Sequence, residues 1–165
     1  MKVENLATIL DVPAGELRAV DGISFELRKG ECFALVGESG CGKSMTALSL
    51  MRLLPEAGRI AGGQVELGGI DLLRLPEAAM RAVRGKRVSM IFQEPATALN
   101  PVLTVGQQIS EVIVRHSGEK NPRDKVIALL RAVGLPDPEQ RYDAYPFQLS
   151  GGQRQRVMIA GALAV

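Results

Sequence analysis

Eight residues carry the clearest chemistry in the chain: Gly37, Glu38, Ser39, Gly40, Cys41, Gly42, Lys43 and Ser44. They have the form G-x-x-x-x-G-K-[ST], a loop that cradles phosphate between a strand and a helix. The three glycines let the backbone take conformations that a side chain would forbid, so successive N–H groups can turn inward around an anion. Lys43 brings a point charge to the outer phosphates, and the helix that follows aims its positive end at the same place. Ser44 offers a hydroxyl to Mg²⁺. The expected ligand is a nucleoside triphosphate with magnesium. A glycine-rich turn with a stray lysine is the plainer alternative, and the flanks argue against it: Cys32 to Val36 is an apolar run suited to a buried parallel strand, and Met45 to Leu54 reads as a helix.

Two further stretches have chemistry in reach. Arg87 to Phe92 reads as a second strand, stopped by Pro95 after Gln93 and Glu94. A polar residue at the carboxyl end of a parallel strand beside a phosphate loop is placed to face the ligand. Near the end of the chain, Ser150 is an N-cap candidate for a helix opening with Gly151, Gly152 and Gln153, and glycines there let an anion approach the backbone amides. Taken alone, that stretch is equally an ordinary capped helix with solvated Arg154 and Arg156. His116, the only histidine, falls near a helix C-terminus and reads as a solvated end residue. Cys32 and Cys41 lack metal-ligand spacing and read as free thiols of a reducing compartment.

The elements that must position these residues follow from periodicity. Lys2 to Leu10 and Leu17 to Leu27 read as two antiparallel strands around a turn at Pro13 to Gly15, and Arg28 to Glu31 as a turn into the phosphate-loop strand. Pro55 to Gly63 reads as irregular, and Gln64 to Leu67 with Ile70 to Leu72 as a hairpin across Gly68-Gly69. Helices are expected from Pro76 to about Val83, from Thr104 to about His116, and from Asn121-Pro122 to Val133. In the second of these Val105, Ile109, Val112 and Ile113 share one face.

A chain of 165 residues supports one core, and 46% apolar with 23% charged residues is ordinary for a globular protein. A net charge of +2 gives no reason to expect nucleic acid as the main partner. No run approaches the ~20 apolar residues of a membrane span, and the start has no signal-peptide pattern, so the expectation is a protein that stays inside the cell.

Together, GESGCGKS, the FQEP segment and LSGGQRQR resemble the nucleotide-binding subunits of ABC transporters, matching that family's Walker A motif, Q-loop and signature motif in order and spacing. MIFQEPATALNPVLTVGQQI and YPFQLSGGQRQRVMIAGALA look more narrowly like the importer branch for dipeptides, oligopeptides and nickel. The resemblance implies an α/β P-loop NTPase fold with an antiparallel β subdomain and a helical insert: a β and P-loop core to about residue 95, the insert over about 96–148, and the signature motif with its helix over 149–165. It implies that Gly37 to Ser44 hold ATP, that Ser44 and Gln93 complete the Mg²⁺ shell, and that Ser150, Gly151, Gly152 and Gln153 close over the γ-phosphate held by a second subunit. The implied partners are permease subunits, a second identical or related ATP-binding subunit and, indirectly, a solute-binding protein, at the cytoplasmic face of the inner membrane.

Two departures stand out. The family's base-stacking aromatic would fall at about Leu10, and no aromatic precedes Phe25. The family's Walker B strand and catalytic Glu are expected beyond Val165, so no catalytic residue is assigned within the chain and the domain reads as incomplete at its C-terminus. A central strand contributes several apolar side chains at roughly 1.5–3 kcal/mol each, so the isolated chain is expected to be unstable or aggregation-prone. Two alternatives stay open: a non-catalytic module docking on the permease, and a kinase or GTPase using Glu94 as general base.

Overall fold

The computed structural model describes the backbone of residues 1–165 and the side chains of all of them except Pro95 and Ala96. The chain falls into two compact units, Met1–Met80 and Arg81–Val165.

The first unit is built on a four-stranded antiparallel sheet. It comprises β1 (Lys2–Val12), β2 (Gly15–Glu26), β3 (Gly58–Leu67) and β4 (Ile70–Asp71), in the order β2-β1-β3-β4. Helix α1 (Lys43–Met51) belongs to the same unit. In β1 the buried side chains are Val3, Leu6, Thr8 and Ile9, so the inward parity changes between Val3 and Leu6. The cause is an extra residue at Asn5, where the ladder slips and φ is +48°, a conformation asparagine adopts more readily than most side chains. Gly63 of β3 lies against the bulge with φ +101°, and a Cβ there would press on the backbone of Asn5 and Leu6. The segment expected to be irregular is thus largely strand: Gly58, Arg59, Ile60 and Gly62 pair with β1, and Gly63 accommodates its bulge.

The second unit is helical. Helix α2 (Glu77–Val83) leads into it, followed by α3 (Pro95–Ala98), α4 (Val105–Ser117), α5 (Arg123–Ala132), α6 (Pro138–Tyr142) and α7 (Gly151–Ala162). Helix α4 starts where Thr104 accepts from the Gln107 amide at 3.2 Å while Gln107 Oε1 accepts from the Thr104 amide at 2.8 Å, a reciprocal cap. Gly118 ends it, donating to Val114. Val105, Ile109 and Ile113 of α4 and Val126 and Leu130 of α5 recur every four residues and bury one stripe of each helix against Leu149, Val157 and Ala160. Tyr142 lies across the Gly106 backbone, with the Arg123 guanidinium 4.1 Å over its ring.

Two expected strands do not form. Cys32 to Val36 and Ser89 to Phe92 run without regular structure, and near the second of them only an isolated bridge joins Arg84 to Val88. A parallel strand exists through its neighbours, and among the described residues neither segment has a ladder partner. Phe33, Leu35, Ile91 and Phe92 are therefore exposed, and Val36 is 91% exposed.

Candidate functional site

The phosphate-type loop leaves the extended segment at Gly37, turns at Ser39 and Gly40, and enters α1 at Lys43. Gly42 precedes the helix with φ +90°, and a Cβ there would run into the Ala19 carbonyl oxygen of β2. Only glycine meets both conditions. Having no side chain, it also supplies no capping oxygen, so the first amides of α1 are left for an outside anion. The Lys43 ammonium folds back into the loop, donating to the carbonyls of Gly37 at 2.8 Å and Glu38 at 2.5 Å, with Cys41 Sγ at 3.4 Å. A lysine ammonium at the uncapped start of a helix is a combination that suits an anion.

Beside the loop, the first unit holds a cavity of about 420 Å³ whose lining includes Lys43, Thr46, Arg18, Val20, Phe25 and Phe33. The Phe25 and Phe33 rings stack on one another, centroids 4.9 Å apart. Arg18 Nη1 donates to Asp21 Oδ1 at 2.8 Å. Leu10, the expected base-stacking position, lies in β1 opposite Leu17 and packs toward Gly58. Helix α1 is tied to the sheet by a fully buried hydroxyl pair, Thr8 Oγ1 and Ser49 Oγ, 2.7 Å apart.

The donors assigned to magnesium, Ser44 and Gln93, offer neutral oxygens only. A neutral donor such as Ser44 fits a hard cation that arrives with phosphate oxygens as its principal ligands, and does not suit a metal held by protein alone. Among the described residues no cluster of three His, Cys, Asp or Glu side chains could hold a metal. Gln93 lies in the second unit, exposed, at a bend before α3, and so not at the end of a strand as expected.

The LSGGQ stretch forms the start of α7. Ser150 accepts from the Gln153 amide at 3.4 Å, and Gln153 Oε1 accepts from the Ser150 amide at 2.9 Å, leaving the Ser150 hydroxyl proton and the amides of Gly151 and Gly152 on the exposed end. Arg154 and Arg156 are not simply solvated. Arg154 Nε donates to the Pro146 carbonyl at 2.8 Å, and Arg156 Nη1 to the carbonyls of Val133 at 2.6 Å and Gly134 at 3.2 Å, at the end of α5. His116 lies in the last turn of α4, half-buried, with its ring covering Gly85. Cys32 and Cys41 are free and exposed.

Residues 20–165, which include the loop, Gln93 and the start of α7, match the ABC transporter family. The chain belongs to that family. The curated relatives of this ABC chain include the dipeptide transport ATP-binding protein DppD of Bacillus subtilis (strain 168), 49% identical over 99% of this chain and 50% of its own length. The oligopeptide transport ATP-binding protein OppD of the same organism is 44% identical over 99% of this chain and 47% of its own. The chain thus spans about half the length of the curated relatives it matches. Among solved structures, the dimeric ATP-binding cassette MJ0796 in a post-hydrolysis state bound to ADP and Pi superposes with TM-score 0.82 at 24% identity, covering 99% of this chain and 68% of that one. The fold is therefore that of an ABC cassette.

The loop, Gln93 and the start of α7 could be singled out from the sequence of this ABC chain because each motif is local in sequence. Motif reading gave no sign that Arg18 to Val20, which carry no motif, line the cavity beside the loop, with Ala19 and Val20 against Gly42. It also missed the docking of Arg154 and Arg156 on distant carbonyls, which no spacing announces.

Proposed function

We propose that this chain is the nucleotide-binding part of an ATP-binding subunit that powers uptake of peptide-like solutes. The observation that carries the reading is the Gly37–Ser44 loop at the uncapped start of α1 with Lys43 folded into it. In that reading the loop amides and Lys43 hold the β- and γ-phosphates of ATP, and Ser44 with Gln93 contributes to the Mg²⁺ shell. Mg²⁺, when bound, neutralises charge between the two outer phosphates. The amides of Gly151 and Gly152 and the Ser150 hydroxyl then serve the γ-phosphate of a second ATP-binding subunit, with Gln153 holding Ser150 in place. Contacts that exist only while the γ-phosphate is present favour the closed pair before hydrolysis and release it afterwards. Hydrolysis belongs to the proposal for the whole protein, and its general base is not assigned to any residue between 1 and 165.

The dipeptide and oligopeptide transport names of DppD and OppD support a peptide-like cargo and permease partners at the inner face of the membrane. Among the described residues no helix is long and apolar enough to cross a membrane. Co-expression with the permease subunits of a dipeptide importer tests the importer reading. Capture of the chain by those subunits is the expected result; a chain that binds ATP yet is not captured contradicts the importer assignment.

A further inference from the structure

We propose that Arg18 supplies the flat surface on which the nucleobase lies, in place of an aromatic ring. This rests on the reading of Gly37–Ser44 as the triphosphate site. We place the sugar and base of a nucleotide whose outer phosphates reach Lys43 toward the helix end of the loop, where Gly42, Lys43 and Ser44 lie. That end is the one against which β2 is seated: a Cβ on Gly42 would collide with the Ala19 carbonyl, and Val20 is the next nearest neighbour. Arg18 is the adjacent β2 residue and lines the same cavity as Lys43 and Thr46.

The other candidates for the platform are less well placed. Leu10 packs toward Gly58. Phe33 lies four positions before the loop begins, in the irregular segment that leads into it, and one face of its ring is covered by Phe25. Arg18 has its guanidinium anchored on one edge by Asp21 at 2.8 Å and a side chain 67% exposed, which leaves a planar cation with an open face. A guanidinium plane stacks on a purine through dispersion and the attraction of its charge for the ring face, whereas an ammonium has no such plane.

The test is equilibrium binding of Mg-ATP and of magnesium tripolyphosphate, which has the phosphates and no base, to the chain and to its Arg18→Ala and Arg18→Lys forms. Arg18 is a surface residue, so both variants keep the fold. Base stacking of this kind predicts a loss of ATP affinity of roughly tenfold in both variants, with tripolyphosphate changed by less than about twofold in Arg18→Lys. The proposal is overturned if Arg18→Ala binds ATP as the parent does, if Arg18→Lys retains full ATP affinity, or if both probes weaken by the same factor, since Arg18 would then act as a charge alone. A parent chain that binds neither probe removes the phosphate-site reading and this inference with it; one that binds both with no response to Arg18 removes this inference only.

Discussion

The buried pair that fixes α1 to the sheet offers a prediction whose sign as well as size can be worked out. Ser49 has one hydroxyl proton and donates it to the Met45 carbonyl at 2.6 Å, so in the 2.7 Å contact with Thr8 the donor must be Thr8. Both residues are 0% exposed, so neither hydroxyl has water as a substitute. Ser49→Ala strands the Thr8 proton and should cost about 1–3 kcal/mol, the range for a buried polar group left without its partner. Thr8→Val removes the donor and puts a methyl in a buried β position, while Ser49 keeps its bond to Met45, so its cost should stay near 0.5–1.5 kcal/mol. In the double variant the stranded hydroxyl is gone. Adding Thr8→Val to Ser49→Ala should therefore restore stability, with a coupling of about 1 kcal/mol.

Urea denaturation of the four proteins reads this directly. With a slope of about 2 kcal/mol/M, Ser49→Ala should lower the midpoint by roughly 0.5–1.5 M at unchanged slope, and the double variant should lie above Ser49→Ala. Strict additivity, or a Ser49→Ala midpoint equal to the parent's, would refute the donor assignment and the role given to the pair.

Other expectations follow from single contacts. Gly106→Ala puts a Cβ 2.5 Å from the Tyr142 ring, which Ser110 at 3.3 Å and Arg123 at 4.1 Å hold in place; overpacking of about 1–3 kcal/mol should appear in a denaturation curve and shrink when Tyr142 is also changed to Leu. Arg156→Ala removes the cap on the last carbonyls of α5 at an exposed site, so a loss of only about 1 kcal/mol is expected, with faster amide exchange confined to the end of α5 and the adjoining face of α7.

Much of the second unit was legible because its determinants are short-range. Thr104 with Gln107 and Ser150 with Gln153 announce helix starts three residues ahead, and Ile109 and Ile113 announce a buried face. Gly37 to Ser44 are legible for the same reason. What sequence reading misplaced depends on partners distant in the chain. Gly58 to Gly63 look like loop until β1 and its Asn5 bulge are set beside them. Cys32 to Val36 look like a central strand, and their apolar side chains suit one, yet hydrogen bonding in a parallel sheet comes from neighbouring strands that the described residues do not bring there. Leu10, named by its position along the chain, packs toward Gly58, while the seating of β2 on Gly42 depends on contacts that no motif announces.

Calorimetric titration of the chain with Mg-ATP, beside Lys43→Ala, tests the central claim most directly. Saturable binding at one site per chain that weakens at least about tenfold in Lys43→Ala, the loss expected for charge-assisted hydrogen bonds to phosphate, is what the loop geometry predicts. Absence of binding by a folded parent chain, or equal affinity of parent and Lys43→Ala, would contradict it.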